Sequence, residues 1–255
     1  MTKRRKFLLS AAVLSLGLVV LQWVPLDYRY VAVFGFFLVA YLISAWALFE
    51  DLKGIEWLTI LTLPAVFAAA MSLFYYLLPD NIWSQVIILS LFGFGLYAIY
   101  LTENIYSVAA TRTIQLLRAA HAVGFLMTVL TLVLAYNTIY SLRLAWWING
   151  LLVFAVSLPL LLQALWSVRL PERLGKDLII ISLGISLMMG EIGLGLSFLP
   201  VTVWIASLFL ATVEYVVLGL LQHALDERLF TRTIYEYLSV GVFVLVATLV
   251  VTPWK

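Results

Sequence analysis

The chain has no cysteine and only two histidines, His121 and His223. The first absence excludes disulfides, thiolate metal sites and cysteine nucleophiles. The second confines imidazole chemistry to two positions. Charge is equally scarce: 11% of the 255 residues are Asp, Glu, Lys or Arg, where a soluble domain carries about a quarter. A net charge of +2 leaves no basic footprint for nucleic acid. No G-x-x-x-x-G-K-[ST], G-x-S-x-G or H-E-x-x-H pattern occurs, which argues against an ATP-driven pump in one chain. The spacing of the histidines has no metal signature, so no cofactor or metal is expected.

What is abundant is apolar. The hydrophobic share is 65% and the mean hydropathy +1.11, more apolar surface than a soluble fold of this size can hide. The expected class is therefore all-α, a polytopic transmembrane helical bundle. A span needs about 20 apolar residues. Nine such runs are found, near 7–24, 30–49, 57–77, 82–102, 119–136, 144–166, 178–198, 202–222 and 237–252. Breakers mark the turns between them: Pro25 with Asp27, Pro79-Asp80-Asn81, Pro171, and Leu199-Pro200.

The first run follows Lys3-Arg4-Arg5-Lys6 and is followed by no A-x-A-like cleavage site, so residues 1–24 read as an uncleaved signal anchor. With the N-terminus cytoplasmic, twelve of the fifteen basic residues fall inside; Arg29, Arg143 and Lys255 fall outside. The expected location is the cell (inner or plasma) membrane, as a multi-pass protein. All nine tryptophans stand near span ends, where amphipathic rings anchor at the headgroups.

"TRTI" occurs at 111–114 and at 231–234. The same shift carries spans three and four onto seven and eight. It suggests one membrane domain, 1–255, with a 1+4+4 parallel repeat: an anchor, a first four-helix unit at 25–136 and a second at 137–255.

"ENIYSVAATRTIQLLRAAHAVG" (103–124) is the most distinctive stretch. At helical spacing Asn104, Ser107, Thr111, Gln115 and Arg118 form one polar stripe. It predicts a cytoplasmic-surface helix leading into span five. Asn104, Arg112 and Arg118 are its candidate docking residues, for a protein partner or anionic lipid phosphate. Here the chain resembles uncharacterised multi-pass membrane proteins of candidate-phylum bacteria, a resemblance resting on "ENIYSVAATRTIQLLRAA". It implies no activity, ligand or catalytic residue.

Two acids fall well inside spans, Glu191 in the seventh and Glu214 in the eighth, with no Lys or Arg at similar depth in any span. An ionised carboxylate at mid-membrane costs about 2.5–3.5 kcal/mol on insertion scales, so each is expected to be protonated, hydrogen-bonded or holding a cation. Along their helices they are staggered by roughly 8 Å, as two steps on a path rather than one dyad. Asn149, level with Glu191, is its expected hydrogen-bond partner.

On span seven, Ser182, Ser186, Gly190, Gly193 and Ser197 form one small-residue face, suited to close helix packing. Glu191 lies nearly opposite, with Gly184, Met188 and Gly195, so both faces are expected to be packed. Glu214 shares a face with Ser207 and Ala211.

Three functions follow as expectations. The first is a transporter or channel-like protein, with Glu191, Glu214 and Asn149 binding or relaying protons or cations. The alternative is a non-catalytic scaffold or sensor module that docks a partner or anionic lipid on its cytoplasmic face. An enzyme acting on lipid would draw its acid–base groups from Glu103, His121, His223, Asp226 and Glu227.

Overall fold

The structure, a computed structural model, describes residues 2–50, 52–78, 81–110 and 115–254. Among these residues the regular elements are all helical. In chain order they are α1 (Lys3–Leu21), a 3-10 turn at Leu26–Tyr28, α2 (Arg29–Leu48), α3 (Glu56–Tyr75), α4 (Ile82–Ala109), α5 (Leu117–Ser141), α6 (Trp146–Arg169), α7 (Lys176–Leu196), α8 (Val203–Leu225) and α9 (Thr231–Val251). Each of the nine apolar runs has become a helix.

Eight of the nine, α2 to α9, are long and apolar enough to cross a membrane. The chain is a multi-pass membrane protein. α1 is not among the eight, because Lys3, Arg4, Arg5 and Lys6 occupy its first turn and leave too short an uncharged stretch. That corrects the expected count of nine spans to eight that qualify by length and composition.

The largest difference in boundaries lies at α4. Hydropathy ends that span at 102, yet the helix continues unbroken to Ala109. At 1.5 Å per residue it is about 42 Å long, beyond the roughly 30 Å hydrocarbon core. The continuation is held by burial: Thr102, Glu103, Tyr106 and Ser107 are all within 3% of fully buried. The surface helix expected over the polar stripe is therefore not what forms. Asn104 and Ser107 belong to the last turns of α4, while α5 begins only at Leu117. Thr111, Arg112 and the first "TRTI" copy lie outside the described residues.

The chain divides into two compact units, 1–131 and 132–255, the division falling within α5. In the first unit α1 packs on α2 and α4, α2 on α3, and α3 on α4. α3 is its central helix: Ile60, Leu61, Leu63, Ala65, Phe67 and Ala68 are completely buried. Phe92 stacks on Phe67, ring centroids 5.7 Å apart, and Ser44 meets the Tyr100 hydroxyl at 3.0 Å.

In the second unit α6 packs on α7 and α8, α7 on α8, and α8 on α9. The α6–α7 contact depends on glycine. A Cβ on Gly150 would lie 3.0 Å from the Gly190 carbonyl oxygen, and one on Gly190 would lie 3.0 Å from that of Gly150. A Cβ on Gly193 would come within 2.9 Å of Val153. With Ser182 and Ser186 completely buried, the small-residue face of α7 packs as the spacing predicts, letting the two backbones approach closely.

The opposite face of α7 differs from its expectation. Gly184 and Gly195 have no atom within 4 Å of a built Cβ, and Glu191 and Met188 are exposed. Within the described residues α7 is thus packed on one side only. Of the nine tryptophans, eight are exposed as headgroup anchors would be. Trp166 departs from that reading: it is completely buried, and its indole nitrogen donates to the Pro171 carbonyl oxygen at 3.0 Å.

Candidate functional site

The site lies in the second unit, where three helices bring one polar side chain each into an apolar interior. α8 supplies Glu214, the twelfth of its twenty-three residues and completely buried. α5 supplies Tyr136 and α6 supplies Ser157, both completely buried. The face of α8 that carries Glu214 also carries Ser207 and Ala211, exposed by 2% or less. This much the spacing predicts, and the small side chains allow the neighbouring helices to close over the carboxyl.

The geometry is a short hydrogen-bonded chain. The Tyr136 hydroxyl donates to Glu214 Oε2. The Tyr136 and Ser157 hydroxyls are 2.6 Å apart. Ser157 Oγ reaches the Val153 carbonyl oxygen at 2.8 Å and Glu214 Oε2 at 3.3 Å. Glu214 Oε1 accepts no hydrogen bond from a described residue. With an ionised Glu214, Tyr136 and Ser157 hold one hydroxyl hydrogen each. Two hydrogens cannot serve all three short contacts, from Glu214 to Tyr136, Tyr136 to Ser157, and Ser157 to Val153. One more proton completes the chain.

Towards the end of this unit where α5 meets α6 and α7 meets α8, further polar groups follow. Asn137 donates to Ser207 Oγ at 3.4 Å. Tyr140 donates to the Gly193 carbonyl oxygen at 2.5 Å, and Ser197 to the same oxygen at 3.1 Å. Asn149 is buried and donates to Ser197 Oγ at 3.1 Å, while its own Oδ1 has no described donor. Asn149 therefore serves the packed face of α7. Glu191, on the exposed face, is not brought to Asn149 as a partner, nor is it brought to Glu214.

The remaining sequence candidates separate. Asn104 is half-buried on α4, its Oδ1 without a described donor. Arg118 is exposed at the start of α5, and Arg112 lies outside the described residues. His121 lies ring to ring with Tyr106, centroids 5.6 Å apart. His223 Nδ1 donates to the Gly219 carbonyl oxygen of its own helix at 2.8 Å, and its ring lies against Tyr237. Among the described residues no group of three or more His, Asp and Glu could hold a metal ion.

A second polar set lies in the first unit, around Glu56, which sequence reasoning missed; Glu103 and Ser107 it places instead among cytoplasmic acids and on a surface stripe. Glu56, at the start of α3, is buried. Its Oε2 accepts from the Lys53 amide at 3.0 Å and from Ser107 Oγ at 2.9 Å. Glu103, one turn before Ser107 on α4, is completely buried. The available signal was the spacing of Glu103 and Ser107, four residues apart on one helical face.

The family described as a protein of unknown function (DUF5656) matches residues 44–251. The chain belongs to that family. The match takes in α3 to α9 whole, and with them both polar sets, while α1 and most of α2 precede it. No curated protein and no solved structure matches the chain.

Proposed function

We propose that this DUF5656 member is a transporter- or channel-like membrane protein that handles protons, with Glu214 as the group that binds and releases them. The carrying observation is the hydrogen count at Glu214. With Glu214 protonated, its hydroxyl donates to Tyr136, Tyr136 to Ser157 and Ser157 to Val153, so every short contact has its own hydrogen. With Glu214 ionised, Tyr136 donates to the carboxylate and Ser157 to Val153, and the Tyr136–Ser157 contact is left without a hydrogen. The same four groups thus hold one hydrogen bond more with the proton bound than without it, which favours Glu214 as the group that takes the proton up. An ionised carboxylate without such donors would cost about 2.5–3.5 kcal/mol at mid-membrane.

Asn149 enters this reading as part of the polar set between Glu214 and the end of the unit. Glu191 enters it as a separate acid on the outer face of α7. The test is proton flux into proteoliposomes under an imposed membrane potential. Glu214→Gln, which cannot carry a proton, is expected to reduce flux to the level of empty vesicles while the protein stays folded. Flux unchanged in Glu214→Gln contradicts the reading.

The scaffold reading keeps one observation in its favour, the exposure of Arg118 at the start of α5. It predicts that Arg118→Ala lowers co-purifying anionic lipid or partner and leaves flux alone; unchanged lipid and partner content counts against it.

A further inference from the structure

We propose that the first unit binds an anionic phospholipid, with an acyl chain in the groove between α1 and α4 and the phosphate on Arg4 and Arg5. The site is separate from Glu214 and from Arg118.

The groove follows the α1–α4 contact. Phe7 meets Tyr100, ring centroids 6.0 Å apart, and a Cβ on Gly93 would lie 3.1 Å from Ser15 Oγ. The two helices therefore run antiparallel. Ala11, Ala12 and Gly93 are too small to fill the space beside them, and a groove of about 380 Å³ is left, walled by Leu8, Phe94 and Tyr97. That volume lies within the range of about 300–1,000 Å³ typical of small-molecule sites.

The lining suits a hydrocarbon. Ser15 Oγ donates to the Ala11 carbonyl oxygen at 2.8 Å, and Ser90 Oγ to that of Val86 at 2.7 Å. Each hydroxyl is engaged by its own helix, so the groove offers little to a polar ligand. An acyl chain needs no donor, and α4 is long and apolar enough to cross a membrane.

Charge identifies the occupant. Lys3, Arg4, Arg5 and Lys6 occupy the first turn of α1. At about 100° per residue, Arg4 and Arg5 stand about 40° and 60° to either side of Leu8, one turn beyond it, while Lys3 and Lys6 stand about 140–160° away. On that far side Lys6 pairs with Glu50 and lies over the Trp46 ring at 6.0 Å. Arg4 and Arg5 are exposed and form no ion pair with a described residue. Asn104, half-buried, continues the groove face of α4 one heptad beyond Tyr97 and brings an amide to the same end.

Arg4 and Leu8 are about 6 Å apart along the axis, so one lipid can set its phosphate on the guanidinium and its chain beside Leu8. Guanidinium groups grip phosphate oxygens in pairs. A zwitterionic lipid would bring its own ammonium to the same two cations, which favours an anionic headgroup.

The experiment places the full chain in vesicles of equal parts phosphatidylglycerol and phosphatidylcholine. After extraction in neutral detergent, mass spectrometry counts the lipid retained per protein. Wild type is expected to keep phosphatidylglycerol in excess. Arg4→Gln with Arg5→Gln is expected to lower that excess about twentyfold, near fivefold per guanidinium, whereas Lys3→Gln with Lys6→Gln, the same charge removed from the far face, changes it less than about twofold. Ala12→Trp fills the groove from an exposed position and keeps both arginines. It is expected to lower retained phosphatidylglycerol while melting as the wild type does.

Equal losses in the two charge variants reduce the effect to a general field and overturn the site. Retention unchanged in Ala12→Trp, or phosphatidylglycerol displaced by inorganic phosphate alone, overturns the groove. A wild-type dimer that Ala12→Trp dissociates makes the occupant a second copy and overturns the lipid. None of these outcomes bears on the proton reading of Glu214.

Discussion

Glu191 and Glu214 stand on α7 and α8, two helices of one unit that pack on each other, in opposite surroundings. Glu214 faces inward, is completely buried, and meets two hydroxyls. Glu191 faces outward between two glycines that nothing in the described chain approaches. Hydropathy alone cannot separate them, because each is a lone acid in an apolar run. What separates them is rotation about the helix axis, and that is fixed by which face of each helix has a neighbour. α7 spends its small face on α6. α8 spends its small face on the groups that hold its carboxyl.

The largest effect that sharpens this contrast belongs to the two faces of α7. Gly190→Leu drives a side chain into the Gly150 carbonyl and Phe154. Its cost is expected near 3 kcal/mol, the upper part of the range of about 1–3 for overpacking. Gly184→Leu, on the open face, is expected to stay within about 0.5 kcal/mol, as surface changes do. Thermal unfolding of the two variants in the same micelles checks it. Equal losses would mean that both faces are packed.

Next in size is replacement of each acid by leucine. Glu214→Leu removes the carboxyl's hydrogen bond and leaves Tyr136 donating to Ser157 and Ser157 to Val153, so it should destabilise by about 0.5–1.5 kcal/mol, the net worth of one hydrogen bond. Glu191→Leu removes a carboxyl that no described residue surrounds, and is expected to leave stability unchanged or raise it. Denaturation of both variants in mixed micelles measures the difference. A destabilised Glu191→Leu would place that residue against a neighbour.

The smallest effect concerns an acid outside the spans. The hydrogen bond from Lys6, and then the Lys6 charge, hold the Glu50 carboxyl below the usual carboxylate range, with a lesser contribution from Lys3. A lowered folded value means that this pair stabilises fully above the ordinary carboxylate range and loses its contribution as pH falls through the lowered value. The pair is exposed, so the effect is small and screened by salt. Lys6→Ala is expected to flatten the acid limb of melting temperature against pH slightly, and only at low ionic strength.

Much of the fold is legible in the sequence because lipid and apolar side chains select the same residues. All nine apolar runs are helices. Helical spacing also places Ser182, Ser186, Gly190 and Gly193 on the face that packs. Two kinds of information escape it. Hydropathy ends a span at Thr102-Glu103-Asn104, since it compares residues with water and lipid and not with a polar interior; the burial of Glu103 and Ser107 within the protein carries α4 onward to Ala109. The partners of Glu214 lie on other helices, with Tyr136 and Ser157 distant in sequence, and no spacing rule links them. Depth alone pairs Asn149 with Glu191. Depth is only one of two coordinates on a helix, and the other directs Asn149 to Ser197.

The most direct measurement sets the two acids side by side as glutamine variants. Proton flux into proteoliposomes, driven by the same imposed potential and corrected for the amount of folded protein, is recorded for wild type, Glu214→Gln and Glu191→Gln. The account predicts flux lost in Glu214→Gln and kept in Glu191→Gln. Flux kept in Glu214→Gln, or lost only in Glu191→Gln, contradicts it.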